Sequence, residues 1–370
     1  MEKSRLGSGD QIVAGQSVFR VRVDGVPTHV GEVLSPTGSR IDLAALASDG
    51  LPITCAGCGM LAPPDLDVAS DSGEEMAGAI LWWCALCRAQ VAATPQPVPD
   101  YTTLRELGHG SMGVVYQARH NQTGRMVALK LIIPGLAAAR TAIDRFMREM
   151  SVMKKLKHPH IVEFLEQGVT RGPMWFAMEY VAGTNLEVLA NANKGKYPIP
   201  QACRMACQVL RGLEQAHEMG FVHRDIKPEN ILIGRTPEGL VAKISDFGLA
   251  KSYRSSGLGD LTISGEMRGT IPYMPPEQML EFKTVLPSGD LYATAATLYY
   301  LIAGQFIYDQ VALAGDLIRS LLEESPVPIQ QRRSDVPDGL AAVLMKCLSR
   351  DPEARYPSAH ALRQVLREFC

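Results

Sequence analysis

The residues best suited to chemistry lie in one short run, HRDIKPEN at positions 223–230. Within it, the Asp225 carboxylate can accept the proton of a hydroxyl group and orient its oxygen for in-line attack. Asn230 can bind Mg²⁺ through its amide oxygen. A second run, DFG at 246–248, begins with Asp246, whose carboxylate suits an Mg²⁺ that bridges two phosphates. Since phosphoryl transfer asks a protein mainly for positioning and charge neutralisation, these residues indicate a site for that chemistry.

A glycine-rich run, GHGSMG at 108–113, could hold the phosphates of such a site. The same spacing of glycines also opens dinucleotide-binding folds, where a helix follows the loop. Here the next residues, 114–118, are β-rich, so the sequence predicts a loop between two strands. Backbone amides in such a hairpin can approach phosphate oxygens closely.

A lysine and a glutamate complete the constellation. Lys130 ends the strand-like run VALK at 127–130, where its ammonium group can bind the α- and β-phosphates. Glu149 lies in the helical pattern that follows and is placed to pair with Lys130. These motifs require a β-rich region followed by a helical one. From Tyr101 onward the chain shows strand patterns first and long helical patterns later.

In this order, the motifs resemble those of the eukaryotic-type (Hanks-type) serine/threonine protein kinases, and most of all their bacterial branch. The resemblance extends over residues 101–369. It implies an α+β, bilobal protein kinase fold with a β-rich N-lobe and a helical C-lobe. It also implies transfer of the γ-phosphate of ATP to Ser/Thr hydroxyls of protein substrates, with Mg²⁺ or Mn²⁺ as cofactor.

The resemblance assigns roles to individual residues. Asp225, Lys227 and Asn230 would be catalytic, and Lys227 marks serine/threonine rather than tyrosine specificity. Asn230 and Asp246 would bind Mg²⁺. The residues implied in ATP binding are Leu107, Gly108, Gly110, Gly113, Val115, Ala128, Lys130, Glu149, Glu179, Val181 and Leu232.

Three further positions follow from the resemblance. Residues 269–277 match the end of an activation segment, with Pro275 where alanine is usual. Glu277 is expected to pair with Arg355. Asp290 is expected to steady the catalytic loop from a buried helix.

Two other functions compete with an active kinase. One is a pseudokinase that binds ATP or partners without phosphotransfer, although such proteins usually lose the lysine or one of the aspartates kept here. The other is a scaffold in which the N-terminal region is the main functional part.

Four cysteines near the N-terminus have the spacing of a metal site. Cys55 and Cys58 form one Cys-x-x-Cys pair, and Cys84 and Cys87 form the other. Two such pairs supply the four sulfurs that structural Zn²⁺ prefers, so residues 51–92 resemble a small, β-rich zinc-ribbon-like module. The alternative is buried or disulfide-linked cysteines without metal. The other four of the eight cysteines lie on helical patterns or at the terminus, where packing is the simpler interpretation.

The residues on either side of this module have different compositions. Residues 1–45 contain strand-like runs, and 6–15 followed by 19–21 resemble the last strands of a forkhead-associated domain. That resemblance implies that the phosphothreonine-reading loops would lie upstream of Met1, so that the gene would start earlier. Within residues 93–100 every second position from 95 to 99 is proline, and this segment is expected to form a semi-rigid linker.

Regulation is expected in the segment before Glu277, which is rich in glycine and serine. Thr262 and Ser264 lie where bacterial relatives carry activating phosphothreonines. A phosphate there could dock on Arg224, beside the catalytic aspartate, and order the segment. We expect autophosphorylation between two chains in a transient kinase–kinase dimer.

Composition narrows the partners and the location. Residues 1–100 hold six Lys/Arg against twelve Asp/Glu, so this region shows no basic patch for nucleic acid. The longest apolar stretch, around 293–303, is too short to span a bilayer. The first ten residues lack the apolar run of a secretory signal. The sequence therefore predicts a cytoplasmic protein.

Overall fold

The computed structural model describes residues 11–14, 17–20, 55, 84–110, 113–132, 140–170, 174–193, 196–247, 271–280, 286–309 and 314–370. The chain divides into two compact units, Met1–Ala92 and Ala93–Cys370.

The described part of the smaller unit contains a hairpin and a helix. Strands β1 (Gln11–Ala14) and β2 (Ser17–Arg20) pair antiparallel. Helix α1 (Ala85–Ala93) begins directly after Cys84. The sequence motifs do not predict this helix, but four of its nine residues are alanine, the strongest helix former. The second cysteine pair therefore opens a helix.

The β-rich lobe of the larger unit is a five-stranded antiparallel sheet. Its strands are β3 (Tyr101–Gly110), β4 (Gly113–His120), β5 (Met126–Ile132), β6 (Phe164–Val169) and β7 (Met174–Glu179). Their order across the sheet is β3-β4-β5-β7-β6. Helix α2 (Arg140–Val152) lies between β5 and β6 in the chain and packs on β6.

The segment before this sheet contacts the edge strand β3. The Gln96 side chain accepts the Thr103 N–H at 2.9 Å and donates to the Thr103 carbonyl at 3.0 Å. Val98 is buried with the core of the sheet. The Gln96 amide supplies the pairing with β3 that proline nitrogens cannot. These residues therefore form part of the lobe rather than only a spacer.

The second lobe of the larger unit is mainly helical. Its helices are α3 (Leu186–Ala192), α4 (Ile199–Glu218), α5 (Pro276–Leu280), α6 (Pro287–Ala303), α7 (Ala314–Glu323), α8 (Ile329–Arg332), α9 (Asp338–Cys347) and α10 (Ala359–Leu366). Short 3₁₀ turns cover Met153–Lys155, Pro228–Asn230, Ile271–Tyr273, Pro352–Ala354 and Arg367–Phe369. A small antiparallel sheet adds β8 (Gly183–Asn185), β9 (Ile231–Thr236) and β10 (Gly239–Ile244), in the order β10-β9-β8.

Helix α6 forms the centre of this lobe. It begins at Pro287, whose fixed φ suits a first helical residue, and it ends at Gly304, which has a left-handed φ of 68°. Its side chains are apolar almost all round, and both Tyr292 and Tyr299 are fully buried. Helix α4 packs against both α6 and α10. The β-sheet lobe and the helical lobe confirm the predicted bilobal α+β fold.

Among the described residues, none of the helices combines the length and the hydrophobicity that a membrane-spanning helix needs.

Candidate active site

The glycines of the glycine-rich run lie on the paired ends of β3 and β4, the two strands that the sequence predicts on either side of the loop. Gly110 lies opposite Gly113, and Gly108 lies opposite Val115. At Gly113, φ is 142°, and a Cβ atom would lie only 1.8 Å from the Leu131 carbonyl oxygen. A Cβ atom at Gly108 would meet nothing within 4 Å. Glycine is thus required for backbone packing at Gly113, whereas Gly108 leaves open space for a ligand.

Lys130 lies on β5 and contacts the carboxylate of Asp246. Its Nζ is 2.7 Å from Asp246 Oδ1, although the two residues are 116 positions apart in sequence. Burial alone would raise the pKa of Asp246, but the charge of Lys130 and its hydrogen bond hold that pKa below the ordinary value. Asp246 therefore stays ionised opposite the lysine.

Asp290 on α6 contacts the backbone of the catalytic loop, residues 223–230. The buried Asp290 carboxylate accepts the backbone N–H groups of His223 and Arg224, each at 2.8 Å. Arg224 has a φ of 69°, a conformation that costs energy in a non-glycine residue. The two hydrogen bonds stabilise that conformation. They confirm the expected role of Asp290.

Two side chains of the catalytic loop converge on one carboxylate oxygen of Asp225. The Asn230 amide nitrogen donates to Asp225 Oδ2 at 2.9 Å and to the Asp225 carbonyl at 2.8 Å. Lys227 Nζ lies 3.4 Å from the same Oδ2. Because its amide nitrogen is used on Asp225, Asn230 has its amide oxygen to offer to a cation.

Backbone contacts connect Asn230 to Asp246. The Asn230 carbonyl accepts the backbone N–H of Ser245 at 2.9 Å and its hydroxyl at 3.1 Å. The Ser245 carbonyl contacts His223 Nε2 at 2.8 Å. His223 also packs edge-on against Phe247, with 4.5 Å between ring centroids. These contacts hold Asp246 beside the catalytic loop.

Five apolar residues implied in ATP binding lie around the cleft. Val115, Ala128, Val181 and Leu232 are half-buried, while Leu107 is exposed. Met178 lies opposite Ala128 in the sheet. Behind Met178 is a cavity whose lining includes Met150, Met153, Phe164, Phe176 and Asp246.

Glu179 at the end of β7 connects the two lobes. Its backbone N–H donates to the Glu163 carbonyl at 2.8 Å. Its side chain pairs with Lys243 of β10, with 2.8 Å between Lys243 Nζ and Glu179 Oε1. The sequence motifs do not predict this pair. The only signal in the sequence is that Lys243 lies three residues before Asp246.

Three of the four predicted zinc ligands lie together in the smaller unit. The sulfur atoms of Cys55, Cys84 and Cys87 all lie within 4.8 Å of one another, and the three residues are buried. The Cys84 N–H points to the Cys55 sulfur at 3.3 Å, and the Cys87 N–H points to the Cys84 sulfur at 3.4 Å. Such N–H donors stabilise thiolates.

Several predicted residues cannot be placed. Cys58, Thr262 and Ser264 lie outside the described residues, as does the side chain of Glu149. The pairs Glu149–Lys130 and Arg224–phosphate therefore stay predictions.

The family model for the protein kinase domain matches residues 101–366. The chain belongs to the protein kinase family. This kinase domain accounts for the bilobal fold.

Characterised relatives of the kinase domain come from several bacteria. The chain is 34% identical over 267 residues to the serine/threonine-protein kinase pkn3 of Myxococcus xanthus, covering 70% of this chain and 48% of that protein. It is 34% identical over 281 residues to the serine/threonine-protein kinase PknB of Mycolicibacterium smegmatis, covering 74% and 43%. The chain thus spans less than half the length of these relatives.

A solved structure shows the same fold. The crystal structure of the PknI kinase domain of Mycobacterium tuberculosis is 27% identical and has a TM-score of 0.57. It covers 75% of this chain and 100% of that one.

The end of the activation segment is fixed as expected. Arg355 Nη1 and Nη2 contact Glu277 Oε1 and Oε2, both at 2.7 Å. Arg355 is buried and lies over the Tyr292 ring, 4.9 Å from its centroid. The predicted pair is confirmed. Gln278, next to Glu277, donates to the Arg224 carbonyl at 2.8 Å, a contact that no sequence motif predicts.

Proposed function

We propose that this chain transfers the γ-phosphate of ATP to serine and threonine hydroxyls of proteins. The observation that supports it best is the convergence of Asn230 and Lys227 on one oxygen of Asp225, at 2.9 and 3.4 Å. Both contacts engage Oδ2, so we assign Oδ1 to the incoming hydroxyl. Asp225 would accept the hydroxyl proton there, and Lys227 would neutralise charge on the transferred group.

Asn230 and Asp246 fit an Mg²⁺ or Mn²⁺ ion. Both provide hard oxygen donors, and the Ser245 contacts to the Asn230 carbonyl keep the two residues together. A bound ion would neutralise the charge of the phosphates. Lys130 Nζ, which lies 2.7 Å from Asp246 Oδ1, would turn to the α- and β-phosphates when ATP binds.

The adenine ring would lie between the half-buried Val115, Ala128 and Leu232. The Glu179 N–H donates to the Glu163 carbonyl, so the segment that joins the two lobes would offer adenine the Glu179 carbonyl as acceptor and the Val181 N–H as donor. The glycine hairpin would cover the phosphates.

The test is phosphotransfer by the full chain with γ-labelled ATP and Mg²⁺ onto casein and myelin basic protein. We expect labelled phosphoserine and phosphothreonine after acid hydrolysis, and we expect Asp246→Asn to lose transfer and to bind Mg²⁺–ATP more weakly. ATP binding without transfer to any protein would instead favour a pseudokinase. If the chain neither binds ATP nor transfers phosphate, the scaffold would be favoured.

We also propose that residues 51–92 bind one structural Zn²⁺ through Cys55, Cys58, Cys84 and Cys87. Tetrahedral Zn²⁺ with sulfur ligands at about 2.3 Å requires sulfurs about 3.8 Å apart, and three of the sulfurs already lie within 4.8 Å. The start of α1 at Ala85 adds a helix N-terminus that favours thiolates.

Metal analysis tests this proposal directly. We expect one Zn²⁺ per chain in freshly purified, reduced protein, and loss of zinc in a Cys84→Ser variant. A Cys347→Ser variant serves as control because Cys347 is a buried cysteine of the kinase domain. A trace of zinc far below one per chain in the parent protein would count against the module.

The activation loop is the third part of the proposal. We propose that Thr262, Ser264 or both are autophosphorylated between two chains, and that the phosphate docks on Arg224. Mass spectrometry of recombinant protein should find phosphate at these positions, and a Thr262→Ala/Ser264→Ala double variant should be less active. Full activity of the double variant would exclude this switch and leave the kinase function intact.

The domain layout is likewise a proposal. It comprises a β-hairpin segment at 1–45, related to the end of a forkhead-associated domain, a module at 51–92 and the kinase domain at 101–369. The pairing of β1 with β2 supports a terminal hairpin in the first segment.

A further inference from the structure

A second group of cysteines lies in the helical lobe, where α4 packs against α10. Cys203 and Cys207 are one turn apart on α4 and are both buried. Cys370 follows the 3₁₀ turn after α10 and is exposed. The sulfur atoms of Cys207 and Cys370 are 3.6 Å apart. A disulfide is about 2.05 Å long, so bonding requires an approach of only about 1.5 Å.

The cysteines differ in their access to an oxidant. Burial raises the pKa of Cys203 to about 12. Burial also raises the pKa of Cys207, and the neighbouring Cys370 adds to the shift. Both α4 thiols therefore stay protonated and shielded at neutral pH. The exposed Cys370 is the thiol that an oxidant from solvent meets first.

We propose that Cys207 and Cys370 form a reversible disulfide when the protein meets a peroxide. In the first step the Cys370 thiolate attacks one peroxide oxygen, the O–O bond breaks, and hydroxide leaves. Cys370 is then a sulfenic acid. In the second step Cys207 attacks the Cys370 sulfur and loses its proton, and the sulfenic oxygen leaves as water. Overall, two thiols and one H₂O₂ give one disulfide and two waters.

The bond would join Cys370, after α10, to helix α4, which contacts the strand that leads to the active site. Gln208, next to Cys207, accepts the Ala242 N–H at 2.6 Å and donates to the Leu240 carbonyl at 3.2 Å. Both partners lie on β10, which leads to Asp246. The cross-link closes a loop between residues 163 positions apart. A disulfide across so long a loop restricts the unfolded chain strongly.

The experiment treats the full chain with hydrogen peroxide and maps its disulfides by mass spectrometry without reduction. We expect a peptide pair joining Cys207 to Cys370, which dithiothreitol separates. We also expect the thermal midpoint of the kinase domain to rise by about 5 °C in the oxidised protein.

Two variants make the result specific. Cys370→Ser changes an exposed residue, so the protein should fold normally and lose both the cross-link and the rise in midpoint. Cys203→Ala should keep both. The proposal would be overturned if peroxide oxidises Cys370 to a sulfinic acid while Cys207 remains a thiol. A cross-link from Cys370 to Cys203, or a cross-link that leaves the midpoint unchanged, would also overturn it.

Discussion

Two ion pairs of the kinase domain each join a cation to a carboxylate, but they differ in burial and in the number of contacts. Lys130 contacts Asp246 through one nitrogen and one oxygen at the cleft, where the Lys130 side chain is 11% exposed. Arg355 contacts Glu277 through two nitrogens and two oxygens, and its own side chain is fully buried. Arg355 also donates to the carbonyls of Ser349 and Ser288.

The difference indicates what each pair is for. A single contact at an open cleft can be exchanged for a contact to phosphate without loss of the fold. A bidentate pair with further backbone partners cannot be exchanged, because loss of the buried arginine leaves the carboxylate and two backbone carbonyls without their donors. We therefore assign Lys130–Asp246 to catalysis and Glu277–Arg355 to architecture.

The largest expected effect is on stability, from removal of the buried arginine. Arg355→Met should lower the free energy of unfolding by about 3–5 kcal/mol. Denaturant unfolding measures this. Arg125→Met is the matched control, because Arg125 pairs with Glu163 at 2.9 Å but is 51% exposed, and exposed pairs contribute about 1 kcal/mol at most. Equal effects of both variants would contradict the architectural role.

Lys130→Met should impair phosphotransfer rather than stability. Phosphotransfer should fall by about 10²- to 10³-fold, since the phosphates lose a preorganised cation, while the unfolding midpoint changes little. Steady-state kinetics and thermal unfolding of the same sample check both. Lys157→Met, at a lysine that is 73% exposed, should leave the rate unchanged. A Lys130→Met protein that unfolds like Arg355→Met would remove the distinction between the pairs.

A smaller effect should appear in the pH dependence of stability. Lys130 holds the pKa of Asp246 below its ordinary value, so the pair stabilises the folded state above that ordinary value. This contribution is lost as pH falls through the lower folded-state pKa. The stability gap between the parent and Lys130→Met should therefore be greatest at neutral pH and should narrow in acid. A gap that widens below pH 5 would contradict the ionised pair.

Sequence and structure agree where the chemistry is local. Asp225, Lys227 and Asn230 lie within six residues, so one loop must bring them together, and their spacing predicts their convergence. Contacts that depend on the path of the whole chain are different. The contact of Lys130 with Asp246 and that of Glu179 with Lys243 join residues that only the folded lobes bring together.

Helix α1 and the docked segment 94–99 were missed for a related reason. The prolines of 94–99 indicate an extended chain, but not that Gln96 pairs with the backbone of Thr103 or that Val98 enters the core. Cysteine spacing likewise indicates a metal site and says little about the element that follows it.

The most direct measurement is phosphotransfer by Asp225→Asn in the full chain, with ATP affinity determined on the same sample. Asparagine keeps the size of the side chain but cannot accept the hydroxyl proton. We expect transfer to fall by about 10²- to 10⁴-fold, with ATP affinity and thermal midpoint unchanged. Undiminished transfer by this variant would contradict the proposed role of Asp225 and the mechanism built on it.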